Sequence, residues 1–286
     1  WDDIYRSIST DTIPQHVKDD VDLNRVDHKR GKAEHRPGNK DYYRYMGLID
    51  LYGQWNWDYK KIIKESPFAV KNMLMSAIWA RANEALAGLL TDLGRPEEAE
   101  KCQKWAEQTK KALAATWKEE HKQHCDIDVA QGKYQPIIDP TSSMFLPLLA
   151  GAVTDEQLPH VINRLSDENQ FWPSYPVPST ALNSEKFDLS RYWRGHTWPV
   201  INMLLIEGLK RYENKHEKIK DMSESLIDST LEMIAGFGFY EYYDPTNGQT
   251  RGEEDTYEKT FGFGSFSWTA AMFILLQEKY RKHKTI

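Results

Sequence analysis

The sequence predicts an all-α protein whose helical hairpins are arranged as a toroid. Apolar residues recur at helical spacing over long segments, runs that alternate like strands are scarce, and short and long connections alternate between the helices. The 286 residues are 40% hydrophobic and 28% charged, which suits a chain that buries a core. This length allows one large domain or two small ones. We expect a single domain over residues 1–286.

The first predicted helices follow a polar segment. Residues 1–40 show no steady period, and residues 28–40 predict an exposed loop. A helical pattern begins at Asp41 and continues with apolar positions at i, i+3, i+4 and i+7, which are Tyr45, Leu48, Ile49 and Tyr52. A long second helix is predicted over 66–94, with Gly94 as its C-terminal stop, and a third over 95–117, with Pro96 at its start.

The second half of the chain predicts two further helical pairs and a last helix. Residues 141–153 and 154–166 form one pair, in which Thr154 and Gln157 have capping-box spacing. Later helices are predicted in three stretches, at 191–212, 217–236 and 266–280. The total is about eight helices, separated by long loops at 119–140, 166–191 and 238–264. Loops of that length in a compact domain are usually functional.

Composition and motifs exclude several classes of partner. The net charge of −6 and the lack of a basic run argue against nucleic acid, and no apolar window is long enough to span a membrane. Cys102 and Cys125 do not suggest disulfides, and His121, His124 and Cys125 lack the further ligands of a zinc site, so we expect neither metal nor cofactor. The absence of Asn-X-Ser/Thr acceptors favours a cytoplasmic location. The sequence does not indicate an oligomeric state.

The stretch Arg191–Trp198, "RYWRGHTW", places rings and a guanidinium just before a helix. Sugar rings have apolar C–H faces that stack on Trp and Tyr, and Arg can donate paired hydrogen bonds to hydroxyls or carboxylates. Gly195 would let the backbone pass close to a ligand. The alternative is core packing at a helix start. Asn202, one turn inside the helix, could contact the sugar or form an interhelical hydrogen bond.

Two carboxylate motifs complete the set of candidate residues. Glu241 lies in the aromatic run "FYEYY", just before the turn "DPTNG", so its neighbours could set its orientation and its pKa. The alternative is an exposed glutamate at a strand edge. Asp2 and Asp3 beside Trp1 could supply half of a carboxylate pair, although adjacent aspartates are usually solvated.

Taken together, three motifs resemble glycoside hydrolase family 63, nearest its bacterial glucosylglycerate and mannosylglycerate hydrolase branch. These are "YWRG..W...N..L..GL", "EYY.P..G...G" and "FSW.AA". The resemblance implies an (α/α)6 toroid and an inverting mechanism, with Glu241 as general base and Asp2, or else Asp3, as general acid. It also implies that one group of residues lines the sugar subsite: Tyr192, Trp193, Arg194, Gly195, Trp198 and Trp268.

The resemblance also implies a length. The family's toroid has twelve helices, whereas about eight are predicted here, so we expect the chain to be incomplete at its N-terminus and to represent the C-terminal two-thirds of the domain. The start at Trp1, without a methionine, agrees with this expectation.

The leading functional prediction is an inverting hydrolase of a small α-glucoside or α-mannoside, such as glucosylglycerate or a short α-gluco-oligosaccharide. Two alternatives are a non-catalytic or incomplete sugar-binding toroid fragment and an epimerase-like or lyase-like sugar enzyme, since a fold alone does not set the chemistry. An all-α structure in which Glu241 and Arg194 share one site would favour the hydrolase.

Overall fold

The computed structural model describes residues 1–27, 36–250 and 265–281, and these residues are mainly α-helical. In the described ranges ten α-helices follow one another along the chain: α1 Asp2–Arg6, α2 Gln15–Asn24, α3 Asn39–Gln54, α4 Tyr59–Glu65, α5 Met73–Asp92, α6 Pro96–Ala114, α7 Leu158–Leu165, α8 Pro199–Lys210, α9 Glu217–Phe237 and α10 Ser267–Leu276. A π-helical turn, Gln277–Arg281, follows α10. Within the same ranges no helix is both long and apolar enough to cross a membrane.

The β-structure is limited to five strands of two or three residues each: β1 Val70–Lys71, β2 Trp117–Lys118, β3 Gln123–His124, β4 Asp126–Asp128 and β5 Gln135–Ile137. They form a three-stranded antiparallel sheet in the order β1-β4-β5 and a β2–β3 hairpin. Among the described residues no sheet exceeds three strands, so the all-α prediction is confirmed. In the three-stranded sheet, β4 and β5 come from the loop predicted at 119–140 and β1 directly precedes α5, so the sheet brings β4 beside the start of α5.

The α5–α6 hairpin follows from local sequence signals. The side chain of Asn72 caps α5 by accepting a hydrogen bond from the Met75 backbone N at 2.9 Å. Gly94 ends the helix in the left-handed conformation with φ of +69°, which glycine adopts without strain, and Pro96 opens α6. The helix predicted over 66–94 was therefore wrong at its beginning, because its first residues form a turn and strand β1.

Two other regions differ from the predicted helices. The first 40 residues, in which no helical period was found, contain the short helices α1 and α2. Of the predicted loops, residues 28–35 and 251–264 lie outside the described residues. Residues 141–153 do not form an α-helix, because Pro147 lies inside a 3-10 helix over Ser142–Leu148. The predicted capping box before α7 is confirmed, since Thr154 and Gln157 exchange side-chain to backbone hydrogen bonds at 3.1 and 3.3 Å.

The main apolar core places α8 against α9 and the 3-10 helix over Ser142–Leu148. Gly208 permits this close approach, because a Cβ there would lie 2.9 Å from the backbone N of Leu149. Asn202 is fully buried and donates to the Thr230 hydroxyl of α9 at 3.0 Å, so the interhelical alternative is confirmed. The Asn202 hydrogen bond ties the first turns of α8 to α9, and the candidate site begins just before this helix. Cys102 and Cys125 are buried free thiols.

Candidate active site

Backbone pairing brings the two aromatic motifs side by side. Thr197 and Tyr243 exchange hydrogen bonds between their backbone N and O atoms at 2.9 and 3.0 Å. The backbone N of Ser179 donates to the carbonyl of His196 at 2.9 Å on the other side. The segment that precedes α8 therefore lies between the segment that follows α9 and the loop around residue 178, within the predicted loop at 166–191.

Glu241 lies at this junction and is only 8% exposed. The Tyr192 hydroxyl donates a hydrogen bond to Oε1, whereas Oε2 accepts none from the residues that the structure describes. Burial raises the pKa of Glu241, against the opposing effects of the Tyr192 hydrogen bond and the positive charge of Arg36. The site thus holds a carboxylate with one tethered oxygen and a pKa above its usual range.

The rings around Tyr192 form a layered cluster. Trp193 stacks on Trp198 with 3.7 Å between ring centroids and 3° between planes, and Tyr192 meets Trp198 edge-on at 5.0 Å. Trp193 is 46% exposed, but Trp198 is only 4% exposed. The Trp198 ring is buried and supports Trp193, which presents the accessible indole, and the role of Trp198 in a sugar subsite stays a prediction.

The two candidate acids differ in their contacts. The guanidinium of Arg194 donates a hydrogen bond to the Asp2 carboxylate. Arg194 is two residues after Tyr192, the tyrosine that holds Glu241. Asp3 instead pairs with Lys186 at 2.9 Å, and its side chain is 80% exposed. The hydrogen bond from Lys186 lowers the pKa of Asp3, which opposes a role as proton donor. Of the two, Asp2 contacts the aromatic motif and Asp3 does not.

The predicted sugar contacts of Gly195 and Trp268 stay predictions, and the structure places the two residues in different surroundings. Gly195 has φ of +153°, and a Cβ there would lie 2.6 Å from the ring of Phe187, so packing against that ring accounts for the glycine. Trp268 is 61% exposed on α10, and its one ring contact within the described ranges is with Phe266. Its helix nevertheless adjoins the Glu241 segment, because the Thr269 hydroxyl donates to the Tyr240 carbonyl at 2.6 Å.

Two site residues were not found from the sequence. The Arg36 guanidinium lies 4.7 Å from the ring centroid of Tyr192, and the Tyr242 ring lies 4.9 Å from that of Trp198. Tyr242 directly follows Glu241 in the "EYY" motif, and this adjacency could have identified it as a site residue. Arg36 carried no signal, because it belongs to a basic segment that predicts an exposed loop.

The remaining polar motifs have structural partners. Asp244 accepts hydrogen bonds from the backbone N and the hydroxyl of Thr246 at 2.8 and 2.6 Å, which confirms the predicted turn. Burial lowers the pKa of His124 to about 4, and its ring packs on Trp117 at 5.1 Å. Over the described ranges no group of three or more His, Cys, Asp or Glu side chains is placed to hold a metal ion.

The all-α scaffold, the buried carboxylate among aromatic rings and a second carboxylate paired with Arg194 of the aromatic motif place the chain in the class of glycoside hydrolases with a helical toroid. Residues 1–269 match the mannosylglycerate hydrolase MGH1-like glycoside hydrolase domain, and the chain belongs to this family.

Characterised relatives agree with this assignment. The chain is 31% identical to a mannosylglycerate hydrolase of Thermus thermophilus, over 95% of this chain and 59% of that protein. It is 30% identical to mannosylglycerate hydrolase MGH1 of Selaginella moellendorffii, over 95% and 51%. Identity to a glucosylglycerate hydrolase of Mycolicibacterium hassiacum is 25%, over 95% and 57%. The chain thus spans between half and three-fifths of the length of these relatives.

The solved structures show the same fold. The chain superposes with a TM-score of 0.79 on a family 63 mannosylglycerate hydrolase of Thermus thermophilus in complex with Tris and D-glycerate. The two sequences are 29% identical, and the superposition covers 98% of this chain and 61% of the Thermus enzyme. The complex of the same enzyme with glucose gives a TM-score of 0.78 at 30% identity, over 96% and 60%. The predicted (α/α)6 toroid-like fold is therefore confirmed.

Proposed function

We propose that this chain carries the catalytic site of an inverting glycoside hydrolase that cleaves a small α-mannoside or α-glucoside of glycerate. The observation that carries the proposal is the environment of Glu241. It is a buried carboxylate with one oxygen held by Tyr192 and the other unpartnered among the described residues, next to the accessible indole of Trp193.

Glu241 acts as the general base. An inverting enzyme needs a carboxylate that removes a proton from the attacking water on one face of the sugar. Tyr192 fixes Oε1, so Oε2 is left to accept the proton. Burial raises the pKa of Glu241 and so brings this pKa closer to neutral pH. A carboxylate with a higher pKa accepts a proton more readily, provided that it is still ionised.

Asp2 acts as the general acid that protonates the leaving oxygen. Its carboxylate is paired with Arg194 in the free site, so this ion pair must open before Asp2 can carry a proton to the substrate. Arg194 would then donate to the bound ligand. In the productive complex the carboxyl groups of Asp2 and Glu241 should lie about 6.5–9.5 Å apart, which leaves room for the water.

The charges around the site favour an anionic substrate. The Arg36 guanidinium lies 4.7 Å from the Tyr192 ring centroid, and Arg194 follows Tyr192 by two residues in the sequence. Guanidinium groups bind carboxylates through paired, charge-assisted hydrogen bonds. A glycerate aglycone offers such a carboxylate, whereas a neutral gluco-oligosaccharide does not. The names of the relatives, mannosylglycerate and glucosylglycerate hydrolases, agree with this choice.

The test is an assay of the full-length protein on mannosylglycerate, glucosylglycerate and a neutral α-glucoside such as maltose, with the anomer of the released sugar followed by NMR. We expect turnover of the glycerate glycosides with initial release of the β-anomer. Retention of the α-configuration would contradict the mechanism. Binding of glycerate glycosides without turnover would favour a sugar-binding protein instead.

A further inference from the structure

We propose that Asp126 is a positioning residue that holds helix α1, which carries the proposed acid Asp2, in place by accepting a hydrogen bond from Trp1. This inference rests on the proposed function, because it assigns a role relative to Asp2. Asp126 lies on β4, far from the aromatic motifs in the sequence, and neither the sequence motifs nor the mechanism above assign it a part in the reaction.

The carboxylate of Asp126 is buried, and both of its oxygens accept hydrogen bonds. It is 8% exposed, and its Oδ2 accepts the indole N–H of Trp1 at 2.8 Å. Its Oδ1 accepts the backbone N–H of Met73, the first residue of α5, at 2.7 Å. The Asn72 amide donates to both oxygens at 3.1 and 3.2 Å. Because α5 and β4 fix this carboxylate, the Trp1 indole is held at a defined position on the scaffold.

Trp1 passes this position on to Asp2. The Trp1 carbonyl accepts the backbone N–H groups of Ile4 at 3.0 Å and Tyr5 at 3.2 Å, so Trp1 opens the first turn of α1. Its ring also packs edge-on against Phe68 at 6.4 Å. Helix α1 has only five residues and cannot be stable on its own. A displaced Trp1 would therefore shift the turn that carries Asp2.

A second anchor on the same turn is exposed. Lys186 pairs with Asp3 at 2.9 Å and with Asp139 at 3.0 Å. The side chains of Lys186 and Asp3 are 46% and 80% exposed, and ion pairs in such surroundings are weak because solvent screens them. Trp1 is half-exposed, but the Asp126 carboxylate is buried and also accepts hydrogen bonds from Asn72 and Met73. The Trp1–Asp126 hydrogen bond is thus the stronger of the two anchors, and Lys186 provides a comparison within the same turn.

The leaving group of the substrate separates a positioning role from a merely structural one. An alkoxide such as that of glycerate leaves only when an acid protonates it, whereas fluoride leaves a glycosyl fluoride with little assistance. A displaced Asp2 should therefore slow hydrolysis of the glycerate glycoside and spare hydrolysis of the α-glycosyl fluoride. General loss of structure should slow both.

The experiment compares Trp1→Phe, Asp126→Asn and Lys186→Met in the full-length protein on these two substrates. Trp1→Phe removes the N–H donor but retains a ring against Phe68, so it remains informative if Asp126→Asn fails to fold. We expect Trp1→Phe to lower kcat on the glycerate glycoside by about 10- to 100-fold, as misplacement of a catalytic group does, and on the fluoride by less than about 3-fold. Lys186→Met should change neither by more than about 3-fold.

Equal losses on both substrates, or no loss with Trp1→Phe, would overturn the inference. The control is Asp2→Asn, which should itself lower kcat on the glycerate glycoside far more than on the glycosyl fluoride. If it does and Trp1→Phe does not, the positioning role fails while the proposed function stands. If Asp2→Asn retains full activity on the glycerate glycoside, the assignment of the acid fails, and the role of Asp126 fails with it.

Discussion

The two carboxylates of the site are held in different ways. Glu241 is 8% exposed and hydrogen-bonded to a tyrosine, in a segment that is paired with its neighbour through Thr197 and Tyr243. The Asp2 side chain is 38% exposed, paired with Arg194, and carried by a five-residue helix. Glu241, the proposed base, is thus preorganised by burial, whereas Asp2, the proposed acid, is held by an ion pair that solvent or a ligand can open.

The difference suits the two roles. A base that activates water gains from a fixed position and a raised pKa, both of which burial provides. An acid must exchange its ion-pair partner for a proton in each cycle, which is easier where solvent reaches the carboxylate. Four experiments test this comparison, from the largest expected effect to the smallest.

Glu241→Gln removes the proposed base and should have the largest effect. The amide keeps nearly the same shape but cannot accept a proton, so kcat should fall by about 10²–10⁴-fold. Affinity for the sugar, measured by calorimetry, should change little because proton acceptance develops in the transition state. Glu232→Gln on the exposed side of α9 is the matched control and should leave kcat unchanged. Retention of more than about a tenth of wild-type kcat would refute the assignment.

Asp2→Asn and Asp3→Asn separate the two candidate acids. Loss of the acid should lower kcat on a glycerate glycoside by at least about 100-fold for Asp2→Asn. Asp3→Asn should cost less than about 3-fold, because it removes only an exposed ion pair with Lys186. Steady-state kinetics of the two variants decide the matter, and a larger loss for Asp3→Asn would reverse the assignment.

Trp198→Ala and Trp193→Ala distinguish the supporting ring from the accessible one. Trp198 is buried, so its truncation should lower the free energy of unfolding by about 3–5 kcal/mol, as measured by urea denaturation. Trp193 is 46% exposed, so its truncation should cost about 1 kcal/mol or less in stability but should weaken sugar binding in calorimetry. Equal loss of stability in the two variants would contradict the distinction between a supporting ring and an accessible ring.

Tyr192→Phe should produce the smallest change, a shift in pH dependence. The Tyr192 hydrogen bond lowers the pKa of Glu241, so its loss should raise that pKa further above the ordinary value. The base works only when ionised, so activity on the acidic side of the kcat/KM profile should be lost at higher pH than in the wild type. Tyr134→Phe, at a half-exposed tyrosine, is the control. A shift to lower pH would contradict the assignment.

Much of the local structure was predictable because its causes lie within a few residues. Gly94 and Pro96 mark the turn between α5 and α6, the Thr154–Gln157 capping box precedes α7, and Asp244 organises its own turn. The errors arose where neighbours in space decide. Residues 142–148 have the apolar content of a helix, yet Pro147 and burial of most of the segment in the core select a 3-10 helix.

The sequence by itself determined the all-α class, the main helical hairpins and the identity of the aromatic and acidic motifs, since periodicity, caps and turn residues act over short distances. Only the tertiary structure decided what those motifs contact. Tyr192 and Glu241 are 49 positions apart, and Arg194 and Asp2 are 192 apart. Burial likewise made Trp198 a support and Trp193 the accessible ring. Exposure and pairing at such separations depend on how the helices pack, which no local pattern contains.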